Sequence, residues 1–437
     1  MTQAERLLSR LFGVALIAHV VGNWQAPNLP TLIGASGLLV GVLGVLLLVC
    51  PGRFIFISGA VATLLSALAE IPILGNHWLL AGFASAVVIL TLGRGAALVS
   101  GLRWLLVVFY GFAAFAKLNR AFLDPISSCA VFYLDQNLRS WGLPIVSTAS
   151  PLAHMATWLT VAAELSVVPL LIWKRTRWLG VLVGSVFHGL ISLDLGQHFY
   201  DFTAVLYFLF AGFIEIDEEA AAGARGPLIV KWLVAPVSLV LVVLAVTPLT
   251  SMASTIMPIA PFVLWVPFVA CWLVFVLRRR RQAWVDWKLS PAVALVVVIA
   301  FLNGLTPYLE LKTAFSFNMY SNLLTAQGET NHLLIPRTFP LRNGYEGPVE
   351  IIESSDEGLE LYRERGYLIA YPQFQQYLVG RSVAVTYARD GVVSIVSNSA
   401  EVEGLATTGP WWWRWMPLRS LDERSPPRCQ DVFLPAL

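Results

Sequence analysis

From the N-terminus to about Pro307 the chain repeats one pattern, apolar runs of about 17 to 26 residues separated by short breaks. As a helix, each run is long enough to cross a hydrocarbon core of roughly 30 Å. Composition agrees, with 57% hydrophobic and 13% charged residues over 437 positions and a mean hydropathy of +0.70. A soluble globular chain is far more polar. The expected fold is an all-α polytopic membrane bundle. A net charge of +2 without a basic stripe gives no footing to a nucleic-acid partner.

Read against its breakers, the chain has about eleven spans: near 8–24, 31–50, 54–74, 77–94, 102–122, 152–173, 178–195, 199–215, 228–247, 252–277 and 290–307. Pro27, Pro30, Pro51, Pro72, Pro151, Pro248 and Pro291 fall at or close to the proposed ends. With the N-terminus in the cytoplasm, every Lys/Arg cluster reaches the cytoplasmic side: Arg6/Arg10, Arg53, Arg94/Arg103, "KRTR" at 174–177, Arg225/Lys231 and "RRRR" at 278–281 with Lys288. The opposite short loops carry no Lys or Arg, as the positive-inside rule requires. No small-x-small cleavage site precedes "NWQAPN", so the first helix is expected to be retained.

Two larger pieces then lie outside the cytoplasm. Within the transmembrane domain 1–307, the loop 123–151 has helical periodicity from Cys129 to Leu138 and is expected to lie along the interface. Residues 308–437 change character. "GPVEIIES", "YLIAYPQ" and "RSVAVTYARDGVVSIVS" read as short strands with Arg-Asp-Gly as a hairpin turn, predicting a small α/β or mostly-β cap. The tail "WWWRW" suits either a membrane-interface belt or packing against the cap. Cys129 and Cys429 share the extracytoplasmic side and are candidates for one disulfide.

Ionisable residues within spans are expensive, and each therefore asks for a reason. Lys117 in "FYGFAAFAKLNRAF" lies about 21 Å along a helix starting near Arg103, past the middle of the bilayer. Three readings stand: an outward-reaching anchor, half of an ion pair, or a base. Arg120 one turn away and the apolar neighbours Phe112 to Phe115 favour the uncharged amine, the form able to act as a base. Asp124 at i+4 is the expected partner of Arg120. Glu164 lies mid-span with no charge of its own in reach, as a cavity wall, a structural hydrogen bond, or a partner for Lys117. His188, Asp194, His198 and Asp201 form the densest polar patch, read as a helix-end cluster. One segment supplies no closed set of metal ligands, and no metal is expected. Glu70 and His154 are read as interfacial.

At "FYGFAAFAKLNRAFL" the chain resembles the HTTM membrane domain shared with vitamin K-dependent γ-glutamyl carboxylase. "WKRTRWLGVLVGSVFHGLISLDLGQHFYDFTAV" and "AFSFNMYSN" (Ala314 to Asn322) are similar to two further stretches of that family. The resemblance covers about residues 100–320. It implies that Lys117 is the weak base that deprotonates a reduced quinone (vitamin K or menaquinone hydroquinone), with O2 and CO2 as co-substrates. It further implies epoxidation coupled to carboxylation of glutamate or a related proton abstraction. Glu164, His188, Asn119 and Arg120 would line the quinone pocket. Asn119 stands where the carboxylase has Asp, and the extracytoplasmic part is much shorter here.

The expected partners are membrane lipid or quinone and a secreted peptide or protein. The expected location is a bacterial inner or plasma membrane, with the cap periplasmic or extracellular. The alternatives left open are a non-catalytic HTTM protein in peptide maturation, export or lipid binding, and a transporter. Two matching halves with broken helices, which a transporter would favour, are not evident.

Overall fold

The computed structural model describes residues 1–23, 31–71, 74–196, 199–215, 230–246, 255–279, 287–422, 424 and 426–430. Helix α1 (Gln3–Gly22) opens on a capping box, in which Thr2 and Glu5 each accept from the other's backbone amide. It packs on α2 (Thr31–Val49) through glycines. A Cβ on Gly13 would stand 2.7 Å from the Gly44 carbonyl oxygen, so the two backbones touch there. Helices α3 (Arg53–Ala69) and α4 (Asn76–Leu90) form an antiparallel pair, followed by α5 (Gly95–Ala116). The short turn α6 (Arg120–Leu123) and α7 (Cys129–Ser140) lead into α8 (Pro151–Ile172), which starts on a Ser150 cap with proline in its first turn. Helices α9 (Arg177–Ile191), α10 (Tyr200–Phe210), α11 (Ala235–Val246), α12 (Ala260–Arg278) and α13 (Pro291–Leu305) complete the bundle.

Among the described residues four helical segments are long and apolar enough to cross a membrane: Gly95–Ala116, Pro151–Ile172, Ala260–Arg278 and Pro291–Leu309. Six further apolar helices are shorter. The chain is therefore mostly helical, with segments built to span a bilayer. The buried aromatic side chains fix the outer wall of the bundle. Tyr207 stacks on Trp272, and the indole nitrogens of Trp265 and Trp272 donate to Ser192 and Ser185 at 2.8 and 2.9 Å, giving each polar tip a partner.

The expected run through 102–122 is broken. The helix starts earlier, at Gly95, and stops at Ala116, with Lys117 as its cap and Asn119 in extended backbone. Asn119 is the reason. Its Oδ1 accepts from the Phe122 amide to start α6, while its Nδ2 donates to Ala116 O and Ser321 O. A short amide side chain of this kind competes with the helix for backbone partners.

The remainder carries small sheets. A two-stranded ladder joins β1 (Thr325–Ala326) to β2 (Glu329–Thr330). The larger sheet has the order β3 (Glu350–Ser354), β5 (Val385–Arg389), β6 (Val392–Val396), all antiparallel. The β5–β6 turn is Arg-Asp-Gly, with Asp390 and Gly391 at φ of 51° and 77°, a pair of left-handed residues that matches the strand twist. "YLIAYPQ" divides between β4 (Tyr367–Leu368), paired with β7 (Leu421–Asp422), and a helix. Pro372 in the first turn of that helix (Tyr371–Leu378) favours a helix start over a strand. With the helix Glu357–Arg365 these strands enclose an apolar cluster around Val349, Tyr362, Phe374 and Leu378.

Candidate functional site

The break after α5 brings the end of that helix against the segment 315–322. Phe315, Phe317, Tyr320 and Asn322 all hold left-handed backbone, with φ between 51° and 58°. Each such residue costs about 1–2 kcal/mol, so other contacts must hold the segment. They are present. The Asn76 side chain accepts from the Phe317 amide, Asn318 donates to Thr313 O, and Asn322 bridges the Ser127 carbonyl and the Cys129 amide. Strain and tethers together fix the carbonyl of Met319 beside Lys117.

Lys117 is 6% exposed and its amine lies 2.8 Å from Glu164 Oε2, across the interface of α5 and α8. Weaker contacts run from the amine to Ala113 O and Met319 O at 3.4 and 3.5 Å. Of the three readings of this lysine, the structure adopts the ion-pair geometry. The contact is one of charge and distance, for Glu164 Oε2 is buried and makes no hydrogen bond of acceptable geometry.

The pair opens on a cavity of about 700 Å³ bounded by α5, α7, α8 and α9. Most of the lining is apolar, and Leu152, Met155, Leu159 and Leu190 at its edge also lie on the outer surface of α8 and α9. The polar exceptions include His188 and Tyr110. His188, only 3% exposed, is ringed by Tyr110, Phe187 and Phe202 with centroids 5.0 to 5.6 Å away, and neither of its ring nitrogens has a hydrogen-bond partner. The Tyr110 hydroxyl is likewise without a partner. Buried polar groups are almost always satisfied, so these atoms and Glu164 Oε2 leave positions on one mostly apolar cavity that a polar group from outside the chain can meet.

Lys117, Glu164 and His188 are thus brought together, with Asp194 also on the cavity wall. Asn119 and Arg120 are not. Asn119 is fully buried and spent on holding the helix break, and Arg120 is exposed on the far side of that break. The expected Arg120–Asp124 ion pair is not formed, because the Asp124 carboxylate instead accepts from the Ile126 amide and the Ser127 hydroxyl. The helix that would have placed the two side chains together ends at Leu123. Cys129 and Cys429 are disulfide-bonded, tying α7 to the tail. His154 is exposed, and His198 lies outside the described residues.

A second cavity of about 590 Å³ lies between α3, α4, α13 and the tail, with Lys312 and Arg414 among its lining residues. Lys312 donates to Asn303 Oδ1 at 2.8 Å, and burial pushes its amine down to about 7. Asp201, expected in a helix-end cluster with His188 and Asp194, is turned away from them and instead joins His19 and His77. These three are far apart in the chain, and no spacing rule connects them. No protein-family model, curated protein or solved structure matches this chain.

Proposed function

We propose that the α5–α8–α9 cavity binds a reduced isoprenoid quinone, menaquinol or vitamin K hydroquinone, and that Lys117 acts with Glu164 as its base. The observation that carries this reading is the buried Lys117–Glu164 pair beside the unpartnered His188 imidazole, on a cavity whose lining is mostly apolar. A quinol has the matching form: a flat head with two hydroxyls and a tail that dissolves in lipid. The cavity volume falls within the roughly 300–1,000 Å³ of small-molecule sites. Its apolar edge on α8 and α9 gives the tail a way into the bilayer.

The pair takes up the proton of one quinol hydroxyl, ending as ammonium and acid, and the ammonium faces the new oxyanion. His188 supplies a second polar contact to the ring. Reaction with O2 leaves one oxygen atom in the quinone epoxide and the other in water, and the strong base formed on the way removes a proton from a carbon acid. Glutamate with CO2 as the second substrate is the acceptor that the sequence resemblance favours. The same reading puts the protein in a bacterial inner or plasma membrane, crossing it about eleven times from a cytoplasmic N-terminus. Its cap faces the periplasm or exterior, where the Cys129–Cys429 bond is stable.

The full set of contacts on the Lys117 amine favours a second reading, a non-catalytic protein that holds a lipid or matures a peptide with the pair as a structural clasp. One experiment separates them. Purified protein is incubated with reduced menaquinone or vitamin K and oxygen, and extracted quinones are searched for epoxide. Epoxide from the wild type and not from Lys117→Ala supports the enzyme. Turnover unchanged by that substitution removes Lys117 from the chemistry, and no epoxide from any form leaves the clasp.

A further inference from the structure

Four side chains that the Lys117 cavity does not use converge elsewhere in the bundle. His19 sits in the last turn of α1 and Glu70 caps α3. His77 and Asp201 lie in the first turns of α4 and α10. One ligand atom from each of His19, His77 and Asp201 lies within 4.8 Å of the other two. His77 Nε2 is 2.8 Å from Asp201 Oδ2, and His19 Nε2 is 3.2 Å from Glu70 Oε1. All four side chains are between 9% and 16% exposed.

Stability alone gives little reason for such a group. Replacing buried ion pairs by apolar side chains is often neutral or stabilising. His77 Nε2 is buried and, for all its closeness to Asp201, makes no hydrogen bond of acceptable geometry. The surrounding contacts hold these donors in place. Asp201 Oδ1 accepts from the Phe202 amide, and Glu70 Oε1 accepts from Ser66 Oγ at 2.8 Å. Trp78 donates to the same Ser66 oxygen and stacks on the His19 ring at 3.5 Å. Asn23 meets His19 Nδ1 at 3.2 Å. Outer partners that fix ring and carboxylate orientation are what metal ligands need.

We propose that His19, His77 and Asp201, with Glu70 as the fourth donor, bind a divalent transition-metal ion of the zinc class. Two imidazoles and two carboxylates are a donor set such ions accept. At metal–ligand distances of about 2.0–2.2 Å, tetrahedral donors stand about 3.4 Å apart. The His77–Asp201 contact must therefore open by roughly half an ångström, and wider pairs must close by up to about 1.4 Å. His19 binds through Nε2 once its proton has left. Nδ1–H then faces Asn23, whose amide turns over to accept it. Four protein donors leave no open position, so the ion acts as a staple joining the ends of α1, α3, α4 and α10. This site is independent of the quinone reading.

The test uses the full chain in detergent micelles, stripped with a chelator and titrated with Co2+, then Zn2+. The expected result is one saturable equivalent of Co2+ with visible absorption, discharged by Zn2+, and a higher melting temperature with metal bound. His77→Ala and Asp201→Asn should each weaken binding beyond the roughly 10- to 100-fold loss caused by removing an outer partner. Lys117→Met should leave it unchanged. X-ray absorption of the zinc-loaded wild type needs no variant and should show two imidazoles and two further oxygen donors. No saturable equivalent in the wild type, a sulfur-containing shell, or full affinity in His77→Ala overturns the proposal.

Discussion

Replacing Lys117 by Met removes one half of a buried pair whose members are each 7% exposed and 2.8 Å apart. With an effective dielectric of about 20, the lost attraction is of order 6 kcal/mol, most of it offset by the desolvation that the lysine no longer suffers. The remaining cost is the unpartnered Glu164. Breaking such a pair typically costs about 3–5 kcal/mol, whereas replacing both partners by apolar groups is close to neutral. Lys117→Met and Glu164→Met should therefore each destabilise by about 3–5 kcal/mol, and the double variant should return to within about 1 kcal/mol of wild type. Equilibrium unfolding in mixed micelles with increasing SDS, followed by tryptophan fluorescence, measures all three. Single variants costing under about 1 kcal/mol, or a double variant as unstable as the sum of the singles, would refute the buried ion pair.

Four further outcomes follow from the packing. The Cys129–Cys429 bond links residues 300 apart, so Cys129→Ser should lower stability by about 2–5 kcal/mol in the same assay, and a reductant should reproduce the loss in the wild type. The unfolded Lys312 amine keeps its proton up to about 10.5, while burial pushes the folded amine down to about 7. Between these values the unfolded chain holds the extra proton, so stability should rise with pH by up to about 1.4 kcal/mol per unit, and Lys312→Met should flatten that slope. Gly13→Ala would drive a methyl group to 2.7 Å from the Gly44 carbonyl and should cost about 1–3 kcal/mol, read as a lower melting temperature. Asn119→Ala removes a cap and two donors to buried carbonyls and should cost about 2–4 kcal/mol, with faster hydrogen exchange at Phe122.

The long apolar runs made a helical membrane chain legible without coordinates, because the backbone in lipid has few ways to satisfy itself. Arg-Asp-Gly between alternating segments was equally readable, since only residues tolerant of positive φ close that turn. Lys117 stood out because charge is rare in its surroundings, and Glu164 was a candidate partner on the same ground. The break at Asn119 was not readable, as one of the three hydrogen bonds that hold it runs to Ser321, about 200 residues downstream. Once the helix breaks there, Arg120 turns to the exterior, which no helical periodicity would indicate. His19, His77 and Asp201 were hidden for a related reason. Each comes from a different helix, and only tertiary packing makes them neighbours.

Whether the head of a reduced quinone sits at the Lys117–Glu164 pair is tested most directly by a cryo-EM structure of the protein in lipid nanodiscs with a reduced menaquinone under anaerobic conditions. The expected density has a ring oxygen about 2.7–3.2 Å from the pair, the ring beside His188, and the tail leaving between α8 and α9. A quinone bound in the cavity beside Lys312, or a saturating ligand that leaves the Lys117 cavity without ring density, would contradict it.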